Sequence, residues 1–399
     1  MRALPASYVD AHRYDGAAIE RSRRAGSVPC AIQPRDLAIV RDVYRYKFLT
    51  SPQLRELWWP TASVQAADRR LLKLFRAGLL ERFRPVAKRG QGSHPWTYCL
   101  GEEGHRLLQH ARLLPPQHRY RRREIYDFGH VLHELQLNAW ILAYRHALAG
   151  GLLEWDGENS IDPPADLQPG ERFEDDWSAE GLKSPRPRTV CPDAILEVAG
   201  DTAEAPTRVL LIEYDRTRRL DKNFEKLKRY DAFLNWWWTH THLAAHGTPP
   251  FVVFVCQDDT QRDLFISAAD RQLVGHRWHP DVEPEHYRYV GRQRILFTTE
   301  IDAHRGLLTA RRSPAFPPGH PARESAIRRV RLGPASASSD SNAPATDGPS
   351  AKGAQHDASA RPLAVDAVVE LRAPHQSARA HAHKAAAEHA VQTRETRRP

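Results

Sequence analysis

The sequence predicts two folded parts. The first is an α+β unit of three helices and a two-stranded hairpin, and the second is an α/β domain with a mixed central sheet flanked by helices. Between residues 31 and 115, three segments with helical spacing of apolar residues precede two short alternating segments. Between residues 124 and 312, apolar strand-like segments alternate with helical ones, which is typical of α/β domains.

Composition distinguishes these parts from the ends of the chain. Residues 1–30 are polar and irregular, and we expect a flexible basic N-terminus. Residues 313–399 are rich in Ala, Pro, Ser and His without periodicity, which predicts a disordered tail. The four cysteines form no CxxC pair, which argues against a zinc module. No long apolar segment is present, so we expect a cytoplasmic protein with no membrane partner.

Charge is distributed unevenly along the 399 residues, whose net charge is +9. Residues 1–123 contain 24 Lys and Arg against 10 Asp and Glu, a net charge of +14, which leaves −5 for the remainder. A basic first part followed by an acidic stretch indicates that the first part meets a polyanion. The alternative is an uneven solvated surface without a partner.

The helices of residues 31–115 follow from spacing and caps. Residues 36–48 have an amphipathic pattern, and Thr50 or Ser51 caps a short helix that Pro60 ends. A third helix runs from Thr61 or Ser63 to about residue 77, where Gly78 ends it. Its predicted core stripe is Val64, Ala67, Leu71, Leu74 and Phe75.

Residues 79–86 and 95–100 alternate like two strands joined by a basic tip, and a further helix begins at Glu102. Three helices followed by a basic hairpin is the order of a winged helix-turn-helix, in which the third helix enters the major groove of double-stranded DNA. The alternative is a winged helix used for protein contacts. The candidate groove contacts are Gln65, Arg69, Arg70, Lys73 and Arg76, and the candidate phosphate contacts are Lys88 and Arg89.

Residues 124–312 begin with a predicted amphipathic helix over 128–145, a strand over 152–156 and an acidic loop over 157–189. The remaining predicted elements are strands at 189–198, 209–217 and 249–256, helices at 220–235 and 261–270, and a last strand at 293–298. The helix over 220–235 is expected to display Lys222, Lys226 and Tyr230. Three consecutive tryptophans begin at Trp236. We expect them to pack in the core and between domains rather than to stack on nucleic-acid bases.

Three carboxylates stand near the ends of neighbouring strands. Asp193 opens one strand, while Glu213 and Asp215 end the next and share a face. Such groups bind hard cations such as Mg²⁺ or Mn²⁺, which activate water and neutralise a phosphodiester. This is the logic of the PD-(D/E)xK nuclease fold. Glu134, on the preceding helix beside His130, is a further candidate catalytic acid.

The lysine of an active nuclease usually stands where this chain has Asp215. Lys226, on the following helix, is the candidate replacement. The alternative is a pocket without catalysis, in which Asp215 pairs with Arg216, Arg218 or Lys226.

The order of these motifs resembles the replication-relaxation family over roughly residues 33–310. The resemblance rests on RDLAIVRDVYRYKFLTSPQL, HVLHELQLN, PDAILEV, LIEYDRTR and KLKRY. It implies a winged helix joined to a nuclease-like domain, and a role in replication or mobilisation of plasmids and integrated elements. The family's Asp, Glu-x-Asp and Lys-x-x-x-Tyr positions correspond to Asp193, Glu213, Asp215, Lys226 and Tyr230.

Three functions remain open from the sequence. The first is a DNA-binding replication or mobilisation factor with a supporting nuclease-like domain, working with other replication proteins or as a homodimer. The second is a metal-dependent DNA endonuclease directed by its winged helix. The third is a transcriptional regulator, for which a palindromic operator is expected.

Overall fold

The computed structural model contains one mixed α+β unit within residues 1–337, one of two units into which the chain divides. The described residues are 8–9, 19–22, 28–86, 93–123, 125, 128–148, 152–157, 160–165, 167, 187–200, 202, 205–215, 220–273, 290–314, 319–321, 323 and 329–333. None of the described helices is long and apolar enough to cross a membrane.

The first part contains four helices and a small sheet in the predicted order. The helices are α1 Pro34–Arg45, α2 Ser51–Trp58, α3 Val64–Arg76 and α4 Glu102–His110. The strands are β1 Ile19–Arg21, β2 Leu49–Thr50, β3 Leu80–Pro85 and β4 Thr97–Leu100, and they lie in the order β1-β3-β4-β2 with antiparallel pairing.

Local chemistry explains where these helices start and stop. The Thr50 side chain accepts the backbone N–H of Gln53 at the start of α2, and the Ser63 side chain accepts that of Ala66 at the start of α3. Each contact satisfies a donor that the first helical turn leaves unpaired. After α3, Gly78 has a φ of 77°, a left-handed conformation that glycine adopts without a steric penalty.

Two expectations for the first part are corrected. Val64 was predicted in the core stripe of α3, but it is 49% exposed because it begins the helix, before the turn that packs inward. The N-terminal residues were predicted to be flexible. Among those described, Ile19–Arg21 pair with β3, and Val9 is buried in a cluster with Phe48 and Phe128.

The second part is built on a seven-stranded mixed sheet in sequence order. Its strands are β5 Leu152–Asp156, β6 Ala194–Val198, β7 Arg208–Asp215, β8 Phe251–Cys256, β9 Ile295–Thr299, β10 Thr309–Arg312 and β11 Arg329–Arg331. The pairs β7–β8 and β8–β9 are parallel, and the other neighbouring pairs are antiparallel. The carboxyl ends of β7, β8 and β9 therefore meet at one edge.

Helices cover both faces of this sheet, as the sequence predicts for an α/β domain. Leu210 and Ile212 of β7 pack in the cluster that includes α5, Phe128–Ala147, while Val209 and Leu211 pack in the cluster that includes α6, Leu220–Ala232. This alternation follows from the two-residue period of a strand. The other helices are α7 Asp259–Gln272, α8 Val290–Arg294 and α9 Glu300–His304.

Helix α5 is buried on most of its surface rather than amphipathic. Its side chains contribute to one apolar cluster that extends from α1 to the large sheet. Asn138 donates hydrogen bonds to the carbonyl oxygens of Tyr46 and Phe48, at 2.8 and 2.7 Å. The helix is buried on most sides because it lies between the first helices and the sheet, and its polar side chains contact both.

The chain after β7 differs from prediction at the end of α6, while its tryptophans pack as predicted. Helix α6 ends at Ala232 and continues as a π-helix, Phe233–Trp237, where Trp237 is fully buried and Trp236 and Trp238 pack against the same cluster. The predicted acidic loop is described only in part, with a bridge between Ile161 and Val190.

Strand β9 is not the last strand, and the fold continues beyond residue 312. Strands β10 and β11 extend the sheet, Ser313 and Leu332 are buried, and the Tyr144 hydroxyl donates to the Leu332 carbonyl at 2.5 Å. These long-range contacts order short, arginine-containing strands that have no alternating pattern. The predicted tail from residue 334 onward lies outside the described residues.

Candidate functional site

The candidate site begins with a pair of carboxylates on adjacent strands. Asp193 directly precedes β6, and its backbone N–H donates to the Ile212 carbonyl of β7 at 2.8 Å. Its Oδ2 accepts the Tyr214 N–H at 2.7 Å. Glu213 follows Ile212 on β7 and points toward α6. Strand pairing therefore places Asp193 and Glu213 close together, as the sequence predicts.

Both oxygens of Glu213 accept hydrogen bonds from α6. The Lys226 ammonium lies 2.5 Å from Oε2, and the Tyr230 hydroxyl lies 2.5 Å from Oε1. Lys226 and Tyr230 are four residues apart and so share one face of the helix. Tyr230 was expected to be displayed, but it is buried because this face of α6 packs onto the sheet.

Burial controls the ionisation of this cluster. Desolvation raises the pKa of Glu213 to about 7, and the Asp193 carboxylate adds to the rise, while Lys226 and Tyr230 oppose it. The pKa of Lys226 is raised because the charges of Glu213, Asp193 and Asp215 outweigh its own burial. Near neutral pH, Glu213 therefore shifts between a neutral and a charged form beside a charged lysine.

The Asp193 carboxylate lies next to His133, which was not among the predicted site residues. His133 Nε2 lies 3.6 Å from Asp193 Oδ1, and its ring packs edge-on against Tyr214. Burial alone would raise the pKa of Asp193, but His133, Lys226 and the Tyr214 N–H lower it. Burial alone would lower the pKa of His133, but Asp193 raises it. The two groups stabilise each other's charged forms.

Asp215 ends β7 two residues beyond Glu213. Its side chain is 7% exposed, and its charge contributes to the raised pKa of Lys226. The Gln261 side chain donates to the Asp215 carbonyl at 3.4 Å, which links the first turn of α7 to the end of β7. The position that usually holds a nuclease lysine thus adds negative charge here.

The donor set does not fit a divalent metal as it is arranged. Nowhere in the described part of the chain do three His, Cys, Asp or Glu side chains form a group that could hold a metal ion. Both Glu213 oxygens are already bonded to Lys226 and Tyr230. Mg²⁺ and Mn²⁺ need charged oxygen ligands that are free to coordinate. The metal expected from the sequence therefore stays a prediction.

Glu134 lies away from the carboxylate pair that it was expected to join. Its Oε1 is 2.8 Å from the Lys47 ammonium, and both side chains are largely buried. Lys47 has a φ of 60°. His130 is exposed on the first turn of α5. The one-residue step from His133 to Glu134 turns the helix by about 100°, so the histidine faces Asp193 and the glutamate faces the first part of the chain.

A second surface of interest is the outer face of α3. Ala67, Leu71 and Leu74 pack into the core, and the opposite face is solvent-exposed. Four of the five predicted groove contacts are exposed there, Gln65, Arg69, Lys73 and Arg76, together with Asp68, which lies 3.6 Å from Arg55 of α2. Lys88 and Arg89 lie outside the described residues.

Arg70 is placed differently from the groove contact that was expected. Its guanidinium pairs with both oxygens of Asp36, a fully buried carboxylate, and donates to the Ala31 carbonyl at 2.9 Å. Asp36 also accepts the Gln33 N–H at the start of α1. Arg70 therefore joins α3 to α1 through its Nε and Nη2 donors.

Comparison with known proteins gives one match. The family model described as replication-relaxation matches residues 40–252, more than half of the chain. The matched range contains α2 to α6 and every candidate residue of both surfaces. No curated protein and no solved structure matches the chain.

Proposed function

Because the chain belongs to the replication-relaxation family, we propose that it binds double-stranded DNA and acts in the replication or mobilisation of a plasmid or integrated element. In this proposal, the first part is a winged helix that holds the DNA. The second part is a PD-(D/E)xK-like domain that supports binding or assembly without cutting.

The observation that carries the proposal is the exposed basic face of α3. Arg69, Lys73 and Arg76 extend along one side of a helix whose other side is buried, and no carboxylate within the described residues forms an ion pair with them. Basic side chains that are not paired can meet phosphates and base edges in the major groove. The hairpin of β3 and β4 follows α3 directly, as the wing follows the recognition helix in winged helices.

The state of the carboxylate pair supports binding over cleavage. Lys226 and Tyr230 donate to both oxygens of Glu213, while Asp193 accepts the Tyr214 N–H and lies 3.6 Å from His133. These contacts give each carboxylate a structural role. An activating metal would have to displace Lys226 or Tyr230 to reach Glu213. The alternative function is a metal-dependent endonuclease, which the cleavage test distinguishes from a DNA-binding protein.

The binding test compares the double variant Arg69→Ala/Lys73→Ala with wild type by fluorescence anisotropy on duplex DNA across a salt series. Loss of two phosphate contacts reduces the slope of log K against log salt by about 2. The matched control, Arg106→Ala/Arg271→Ala, removes two exposed charges from α4 and α7. Equal salt slopes of DNA binding for wild type and the α3 double variant would contradict the proposal.

The cleavage test uses supercoiled plasmid with Mg²⁺ or Mn²⁺ against EDTA, and includes Asp193→Asn and Glu213→Gln. We expect mobility shifts without strand breaks from all three proteins. Metal-dependent nicking that disappears in both variants would instead establish an endonuclease, with the carboxylate pair as metal ligands.

A further inference from the structure

An arginine-lined cavity of about 190 Å³ lies at one edge of the large sheet. Its charged lining consists of Arg262, Arg305, Arg311, Arg329, Asp259 and Asp302. Four cationic and two anionic side chains give the lining a formal charge of +2. The volume lies below the roughly 300–1,000 Å³ of pockets that hold drug-sized ligands. Size and charge together indicate a small anion.

The position of the cavity in the sheet is typical of ligand sites. Asp259 follows the carboxyl end of β8 by three residues, and Asp302 follows the carboxyl end of β9 by three. In open α/β sheets, ligands bind beyond the carboxyl ends of parallel strands. Gln261, which neighbours Arg262, contacts the carbonyl at the end of β7. Helix α7, which lines the cavity, therefore contacts the strand that carries Glu213.

The carboxylates near the cavity are already engaged. Asp259 lies 2.5 Å from Arg262, and Asp302 accepts hydrogen bonds from Thr298 and from the Thr299 backbone. Asp263, outside the lining, pairs with Arg262 at 3.0 Å and with Arg311 at 3.6 Å. These contacts neutralise Arg262 and weaken the charge of Arg311.

Arg305 and Arg329 supply the remaining positive charge. Both are exposed, and neither has an ion-pair partner in the part of the chain that the structure describes. They come from different elements, the end of α9 and the edge strand β11. A guanidinium binds phosphate oxygens through two parallel N–H donors.

We propose that this cavity binds one phosphate group, held by Arg305 and Arg329. The phosphate belongs either to the DNA backbone or to a small phosphorylated ligand. The DNA source rests on the proposed function, whereas phosphate binding itself does not.

The first arm of the test measures Tm in inorganic phosphate against chloride at equal ionic strength. Wild type should show a saturable rise of about 2–4 °C, and Arg305→Ala/Arg329→Ala should lose most of it. Arg271→Ala, which removes an exposed charge at the far end of α7, is the control and should keep the rise. Equal Tm values in chloride show that the variants fold. The same rise in all three proteins would overturn the proposal.

The second arm measures the salt dependence of duplex DNA binding. A slope reduced by about 1 in the double variant assigns the phosphate to the DNA backbone. An unchanged slope with a lost Tm rise assigns the cavity to a small phosphorylated ligand. Unimpaired DNA binding by Arg69→Ala/Lys73→Ala would overturn the proposed function and leave the phosphate arm intact, so the two failures are distinguishable.

Discussion

The Lys226 ammonium lies 2.5 Å from Glu213 Oε2, although 13 residues separate the two in sequence and they belong to different elements. Lys226 thus reaches from α6 the carboxylate that a nuclease lysine usually approaches from the strand. In this arrangement it forms an ion pair with a buried acid that carries a second hydrogen bond from Tyr230. The contact makes Lys226 part of the fold as well as part of the candidate site.

Removing Lys226 should therefore reduce stability. Lys226→Met leaves the buried Glu213 with one partner, which we expect to lower the free energy of unfolding by about 1–3 kcal/mol. Glu213→Gln in the same chain should recover at least half of this loss, because the buried charge is gone. Urea unfolding of the two single variants and the double variant measures the coupling. Lys228→Met is the control, since Lys228 is exposed and makes only a surface ion pair. Strictly additive losses would contradict the pairing.

Stability should also depend on pH through Glu213. Its pKa is raised from 4.5 to about 7 in the folded chain, so between these values the folded state holds a proton that the unfolded state has lost. The contribution is fully present below pH 4.5 and disappears as the pH rises through 7, a loss of about 3 kcal/mol.

Urea unfolding at pH 5 and pH 8 should show this loss in wild type and much less of it in Glu213→Gln. The difference between the two proteins isolates Glu213, because His133 titrates in both. If the free energy of unfolding changed with pH by the same amount in both proteins, Glu213 would have an ordinary pKa in the folded chain.

Periodicity explains which parts of the site were predictable. A strand places Glu213 and Asp215 on one face, and a helix places Lys226 and Tyr230 on one face, whatever the tertiary structure. Spacing does not say which face of α6 meets the sheet, and so Tyr230 was expected to be exposed. The pairing of Asp193 with its neighbour strand followed from the run of short apolar segments.

Elements without a dominant face or pattern were harder to predict. Helix α5 is buried on most sides and has no single apolar stripe, so its rotation cannot be read from the sequence, and Glu134 was chosen instead of His133. Strands β1 and β11 have three residues each and owe their order to pairing with distant strands. Arg70 and Arg69 are identical in type, and only the buried Asp36 distinguishes their roles.

The pKa of His133 should depend on Asp193. Burial lowers this pKa and the Asp193 carboxylate raises it to above its usual value. In Asp193→Asn the burial remains and the charge is lost, so the pKa should fall below that of wild type. NMR titration of the His133 ring measures it, with Asp68→Asn on α3 as a control that leaves the pKa unchanged. The same pKa in wild type and Asp193→Asn would show that the two side chains do not interact in solution.

Arg69 and Arg70 should separate DNA binding from stability. Arg70→Ala leaves the fully buried Asp36 without its cation, which we expect to cost about 3–5 kcal/mol of unfolding free energy. Arg69→Ala removes an exposed side chain and should change stability by no more than about 0.5 kcal/mol. Arg69→Ala should nevertheless reduce the salt slope of duplex binding by about 1.

Asp36→Asn added to Arg70→Ala should restore part of the lost stability, because the uncompensated charge is removed. Urea unfolding and anisotropy on the same preparations give both quantities. Two results would contradict these roles. One is that Arg69→Ala is less stable than Arg70→Ala, and the other is that Arg70→Ala is as stable as wild type but binds DNA weakly. Either result would exchange the roles of the two neighbouring arginines.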